Sequence, residues 1–158
     1  MRRPWNIIDL PVYSLATLGS TGINMNICTY VSGISRNPKK YMIALEPQSQ
    51  TYLNFKKRKT AVLQILSQED MQWVNYLGKK SGKETDKEKY LQQKQALSEW
   101  KSHEVLKNAS ALVLLQLDQE IDAGGDHQLM IAEVIASRTL REDNILMFQD
   151  LVESGIIL

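Results

Sequence analysis

The sequence predicts a mainly β (α+β) fold, an antiparallel barrel with peripheral helices. Three observations carry that expectation. Two long strand-like stretches, residues 109 to 122 and 126 to 138, meet at Ala123-Gly124-Gly125, where glycines supply the positive φ that a hairpin turn needs. A second pair, residues 11 to 18 (PVYSLATL) and 23 to 31 (INMNICTYV), is separated by Gly19-Ser20-Thr21-Gly22. Helical signals are few and lie beside the strands, as in a barrel with helical additions.

The totals set bounds. A chain of 158 residues is one domain on length and can bury a core. Its 43% hydrophobic and 23% charged residues are ordinary for a globular protein. With 19 basic and 18 acidic residues the net charge is +1, which gives no global pull toward nucleic acid or an anionic membrane. One cysteine, Cys28, excludes an intramolecular disulfide and a Cys-cluster metal site. Asp9 and Pro11 interrupt what would be the apolar region of a signal peptide, and no apolar run approaches the ~20 residues of a membrane span. The expectation is a soluble, cytoplasmic protein.

Taken in order, residues 11 to 18 read as a strand rich in Val, Tyr, Leu and Thr. Residues 23 to 31 read as its hairpin partner, with Asn24, Asn26 and Cys28 on one side and Ile23, Met25, Ile27 and Thr29 on the other. Ser32 to Asn37 reads as irregular, closed by Pro38. Residues 40 to 46 (KYMIALE) form a buried strand that Glu46-Pro47 stops, because a residue before proline avoids the α region. Ser49 or Gln50 then starts a helix ending in Lys56-Lys57-Arg58-Lys59. Cations in a last turn suit the negative end of the helix dipole, so this run reads as a solvated cap and not as a nucleic-acid contact.

Residues 60 to 66 (TAVLQIL) form another strand. Ser67, Glu69 and Asp70 make an N-cap and acidic first turn for a helix through Trp73, Val74 and Leu77 to Gly78. The charged stretch from Lys79 to Lys101 reads as a mobile loop and then a surface helix from about Thr85 to Trp100, with Tyr90, Leu91, Leu97 and Trp100 as its apolar side. That stretch is either a lid over a site or a solvated excursion. After the long hairpin, Asn144 is placed to cap a short helix with Ile145, Phe148 and Val152 inward. Gly155 ends it, before the apolar tail Ile156-Ile157-Leu158.

Several chemistries have no footing. No dinucleotide-binding glycine motif, Walker loop or nucleophile elbow occurs, and His103 and His127 are not at metal-ligand spacing. No metal is expected. Cys28 within an apolar strand reads as a small buried hydrophobe, and His103 as a surface residue.

The stretch from Asn24 to Asn54 carries the functional signal. Its first part, NMNICTYVSGISRNP (residues 24 to 38), holds Asn24, Thr29, Tyr30, Ser32, Ser35 and Pro38. Thr51-x-x-Asn54 follows at a helix start, and Gly125-Asp126-His127 comes later, before LMIAEV. In this order the three motifs resemble the signature of the flavin reductase-like family of the FMN-binding split-barrel fold, from about residue 10 to 137. The physical fit is direct. A helix start offers unpaired N–H groups and a positive dipole end to a phosphate, and hydroxyl and amide side chains suit a polyol and a polar ring edge.

The resemblance implies a single split β-barrel domain over residues 1–158 that binds FMN. Thr51 and Asn54 would hold the phosphate, Thr29 and Ser32 the ring edge or polyol, and Asn24 and Ser35 the neighbouring wall. His127 would lie toward a nicotinamide donor. No catalytic acid or base is required, because the chemistry belongs to the flavin. The function implied is an oxidoreductase that takes hydride from NADH or NADPH and passes it on, to free flavin, a partner oxygenase or a quinone-like acceptor. A homodimer is implied, with no nucleic-acid or membrane partner. Two alternatives stand beside it: a flavin-binding electron-transfer or carrier protein without its own nicotinamide oxidation, and a degenerate barrel serving as an interaction module. One departure bears on the phosphate. Ser49-Gln50 stands where the family commonly has Lys-Asp, leaving Lys39, Lys56 or Arg58 to supply a cation.

Overall fold

A computed structural model describes residues 1–157, so Leu158, assigned above to the apolar tail, lies outside the described residues. Seven strands form one sheet in which every ladder is antiparallel, in the order β2-β1-β5-β8-β9-β4-β3. These are β1 (Tyr13–Gly19), β2 (Gly22–Met25), β3 (Val31–Arg36), β4 (Lys39–Leu45), β5 (Thr60–Ile65), β8 (Ala111–Asp122) and β9 (Gln128–Thr139). A separate hairpin holds β6 (Leu97–Trp100) and β7 (His103–Leu106). The helices are α1 (Gln50–Arg58), α2 (Met71–Lys79), α3 (Lys87–Gln93) and α4 (Phe148–Glu153).

Strands β2 and β3 lie at opposite ends of the sheet, yet only residues 26 to 30 separate them in the chain. That segment draws the ends together. Cys28 exchanges two backbone hydrogen bonds with Tyr13 of β1, both 2.9 Å, and Tyr30 O accepts from Ala44 N of β4 at 3.0 Å. The Asn26 side chain takes the place of a missing ladder partner, its Oδ1 accepting from Leu15 N at 2.8 Å. The result is an antiparallel split β-barrel, as expected.

Alternation along the strands divides the core. Leu15, Ala61, Leu63, Val113, Leu115, Met130 and Ala132 fill one side together with Tyr52 and Phe55 of α1. Ala16, Val62, Leu66 and Leu112 face the other side and meet Trp73, Val74 and Leu77 of α2, Leu91 of α3 and Trp100 of β6. Gln64, fully buried between the layers, accepts Leu106 N at 2.7 Å and so docks the small hairpin onto the barrel.

Three expectations are corrected. Residues 32 to 36, read as irregular, pair with β4 as an edge strand with a bulge between Gly33 and Ser35. Most of its side chains face out, so it carries no burial periodicity. The helix expected from Thr85 to Trp100 ends at Gln93, because Gln95 adopts a left-handed φ of 53°. Leu97 and Trp100 belong instead to β6, which turns into β7 through Lys101 and Ser102, both at positive φ. This stretch is also no solvated excursion: Leu91 is fully buried, and the Tyr90 ring stacks on Tyr76 at 3.6 Å between centroids. Finally, Asn144 sits at φ 62° and caps nothing. Met147 is the N-cap of α4, its N–H donating to Asp150 Oδ2 at 2.8 Å, and Leu151 is the buried inner residue in place of Phe148 and Val152.

Candidate functional site: a cleft between the barrel and the α2–α3 segment

Helix α1 begins where the sequence placed it. Ser49 holds an extended backbone, and its Oγ accepts from Tyr52 N at 3.2 Å, which satisfies one free donor of the first turn. At the other end Lys59 closes the helix at φ 65°, after Lys56, Lys57 and Arg58. The start of α1 faces a cleft of about 480 Å³. Its walls come from Asn24 of β2, the crossing segment from Asn26 to Tyr30, the end of β4, the start of α1 from Gln48 to Thr51, residues 77 to 82 after α2, Lys87 of α3, and His127 before β9.

Asn24 is the centre of the polar wall. Its Nδ2 donates to Thr51 Oγ1 at 2.9 Å, joining β2 to the first turn of α1, while its Oδ1 is buried and has no partner. Behind this pair, Asn54 Nδ2 donates to Thr17 Oγ1 at 3.2 Å, and Asn54 Oδ1 accepts from Gln50 Nε2 at 2.6 Å. Asn54 itself faces a smaller lobe of about 230 Å³, which shares Asn24, Gln50, Gly82 and Lys87 with the main cleft. Gly82 lines both lobes. A Cβ added there would lie 2.1 Å from Asn24 Oδ1 and 3.0 Å from Gln50 Cβ, so the backbone fits against Asn24 only as glycine.

Part of the cleft wall, beside the end of β4, is aromatic. The rings of His127 and Tyr30 meet edge to face with centroids 5.3 Å apart, and His127 Nδ1 pairs with Asp126 Oδ1 at 2.7 Å. That contact holds the Asp126 carboxyl below its ordinary range. Cys28 also lines the cleft, and burial pushes its thiol up to about 12, so it stays a protonated, inert group there.

The structure therefore brings together Asn24, Thr29, Thr51 and His127 on one cleft and puts Asn54 on the adjoining lobe. Ser32 and Ser35 stand apart from both. Ser32 is exposed on β3, its Oγ donating to Gly33 O at 3.2 Å, and Ser35 follows the bulge of the same edge strand. The candidate cations also fall elsewhere. Lys39 lies over the Tyr41 ring, Lys56 pairs with Glu120 and Tyr52, and neither these two nor Arg58 reaches the cleft. Lys79, Lys80 and Lys87 do. In the sequence these three lysines look like any others in a charged run, and only the packing of residues 77 to 91 onto the barrel singles them out.

Comparison with known proteins agrees with this architecture. The family model described as "Flavin reductase like domain" matches residues 5–152, and the chain belongs to that family. Among solved structures, the styrene monooxygenase flavin reductase of Pseudomonas putida S12 superposes with a TM-score of 0.77 at 16% identity, over 94% of this chain and 91% of that one. An FMN-binding protein from Thermus thermophilus, with bound 1-cyclohex-2-enone, gives 0.75 at 20% identity, over 88% and 75% of the two chains. The NADH:FAD oxidoreductase of Streptomyces globisporus, in complex with NAD and FAD fragments, gives 0.75 at 14% identity, over 89% and 81%. At such identities these likenesses speak for the fold alone. No curated protein sequence matches. Among the described residues no helix is long and apolar enough to cross a membrane.

Proposed function

We propose that the cleft binds FMN and that the protein is an NAD(P)H-dependent flavin reductase passing reducing equivalents to a second acceptor, a free flavin or a partner oxygenase. The observation that carries this reading is Asn24. Its amide donates to the Thr51 hydroxyl at 2.9 Å on the cleft wall, so a polar side chain of β2 and the first turn of α1 are held together beside a helix start, the arrangement that suits a phosphorylated polyol. The volume, about 480 Å³, lies within the range of small-molecule sites.

In this reading Thr51 and the open turn of α1 take the phosphate side, with Asn54 supporting them from the smaller lobe. Thr29 stands by the ring, and Ser32 and Ser35 serve the β3 edge. The flavin would supply the hydride chemistry when bound. The chain's own residues bind, orient and shield: Tyr30 and His127 form an aromatic face against which a nicotinamide can rest, and Asp126 fixes the imidazole. The protein is proposed to act as a cytoplasmic homodimer, supported by the exposed apolar side chains of Tyr30 and Ile34 at the open edge beside the cleft.

The test is an absorbance spectrum of purified protein before and after addition of FMN, followed by anaerobic NADH or NADPH. Bound flavin absorbance that bleaches with a nicotinamide supports the reductase. A flavin band that dithionite bleaches but neither nicotinamide does would make the protein an electron carrier. No bound flavin at all would sink both and leave the interaction module.

A further inference from the structure

Lys87 is 4% exposed, and its ammonium donates to Met25 O and Leu77 O, each at 2.8 Å. An ammonium has three protons to donate, so one is left over. Among the described residues no carboxylate lies within ion-pair distance of it. A charge taken out of water without a counter-charge is costly, and burial lowers the Lys87 pKa to about 8 in response. Lys87 faces both lobes of the cleft. The smaller lobe is balanced, with Lys83 and Lys87 against Glu84 and Asp86. The larger is not: Lys79, Lys80 and Lys87 face a single carboxylate, Glu46.

We propose that Lys87, with Lys79 and Lys80 at the rim, is the counter-charge for the anionic group of the ligand, and that segment 79–87 thereby selects phosphorylated flavins over riboflavin. The inference rests on the flavin reading above. Gly82 lets the segment lie directly against Asn24 and against Gln50 at the start of α1, and the three cations line the same cleft. Two carbonyls hold the Lys87 ammonium in place, so little side-chain freedom remains to be lost on binding. Its role is selective because riboflavin shares the ring and the polyol with FMN but carries no phosphate.

The test is the dissociation constant of FMN and of riboflavin, each from quenching of flavin fluorescence, for the natural protein, Lys87→Met and the double variant Lys79→Gln/Lys80→Gln. The natural protein is expected to prefer FMN. Lys87→Met should weaken FMN binding about tenfold or more, in keeping with loss of a charge-assisted hydrogen bond, and leave riboflavin within about twofold. The double variant, changed only at exposed positions, should weaken FMN by about threefold and leave riboflavin alone. If Lys87→Met is not folded by circular dichroism, the double variant decides. FMN and riboflavin weakened equally, or FMN unaffected, overturns the selectivity while flavin binding itself stands. A natural protein that binds neither flavin overturns both.

Discussion

Asn24 donates to Thr51 across 2.9 Å and thereby fastens strand β2 to the first turn of helix α1 in the wall of the cleft. The bond is buried, so its loss is felt in the fold as well as in binding. Asn24→Ala removes it and leaves the Thr51 hydroxyl without its donor, which should cost about 1–3 kcal/mol of stability. Thr51→Val removes the acceptor at nearly constant volume and should cost a similar amount. Urea denaturation measures both, and flavin titration of the folded variants should show FMN weakened at least tenfold by Asn24→Ala, about the worth of one buried hydrogen bond. Wild-type affinity in that variant would remove Asn24 from the site.

His127 and Tyr30 offer the ligand an aromatic contact, whereas Asn24 and Thr51 offer polar groups, so the two pairs should separate in kinetics. His127→Ala is expected to leave the FMN dissociation constant within about twofold and to raise KM for the nicotinamide by about fivefold or more, as loss of uniform binding does. Stopped-flow reduction of bound flavin at several NADH concentrations checks this. A variant that loses FMN and keeps nicotinamide KM would reverse the assignment of the two pairs.

Legibility followed the locality of the signal. The N-cap Ser49, the cations closing α1 and the glycine turn before β9 act within a few residues of chain, and their chemistry names them directly. The β6–β7 turn is equally local, but its two positive-φ positions hold Lys101 and Ser102 where such turns favour Asn and Gly, so nothing in the composition announced it. Edge strand β3 lacked the alternation that burial imposes. At the site, hydroxyl and amide residues at family spacing were readable. Lys87 was not, because a buried lysine between two carbonyls and a solvated one in a charged run are the same letter.

Asp70 is fully buried, and burial lifts its carboxyl to about 6 although Ser67 N and Oγ donate to it. A carboxyl raised above its unfolded value of 3.8 binds more protons when folded. Its contribution to stability is therefore full below about pH 4 and is lost as pH rises through about 6. Asp70→Asn should flatten that part of the stability profile, by an amount on the order of 2–3 kcal/mol at most. Thermal melting from pH 4 to pH 7 tests it. Equal pH dependence in the natural protein and the variant would place the titration elsewhere.

Cys28 lines the cleft, yet its thiol is held at about 12 by burial. At pH 8 the thiolate fraction is about one part in ten thousand. Iodoacetamide at pH 8 should therefore leave the folded protein unmodified by mass and should modify it readily in urea. Rapid alkylation of the native state would mean that the half-buried thiol on the cleft wall ionises there.

Gly82 lies against Asn24 so closely that a methyl group there would sit 2.1 Å from Asn24 Oδ1. Asn24 cannot retreat without giving up Thr51, so the segment must move instead. Gly82→Ala should lift residues 79 to 86 from the barrel, and Lys79, Lys80 and Lys83 in that segment are trypsin sites. Cleavage after these lysines is expected to speed up about tenfold or more, since proteolysis tracks the open population. Saturating FMN should slow cleavage in the natural protein, where the segment faces the ligand, and much less in the variant. Equal cleavage rates in both proteins would show that the close seat of Gly82 on Asn24 does not hold the segment down.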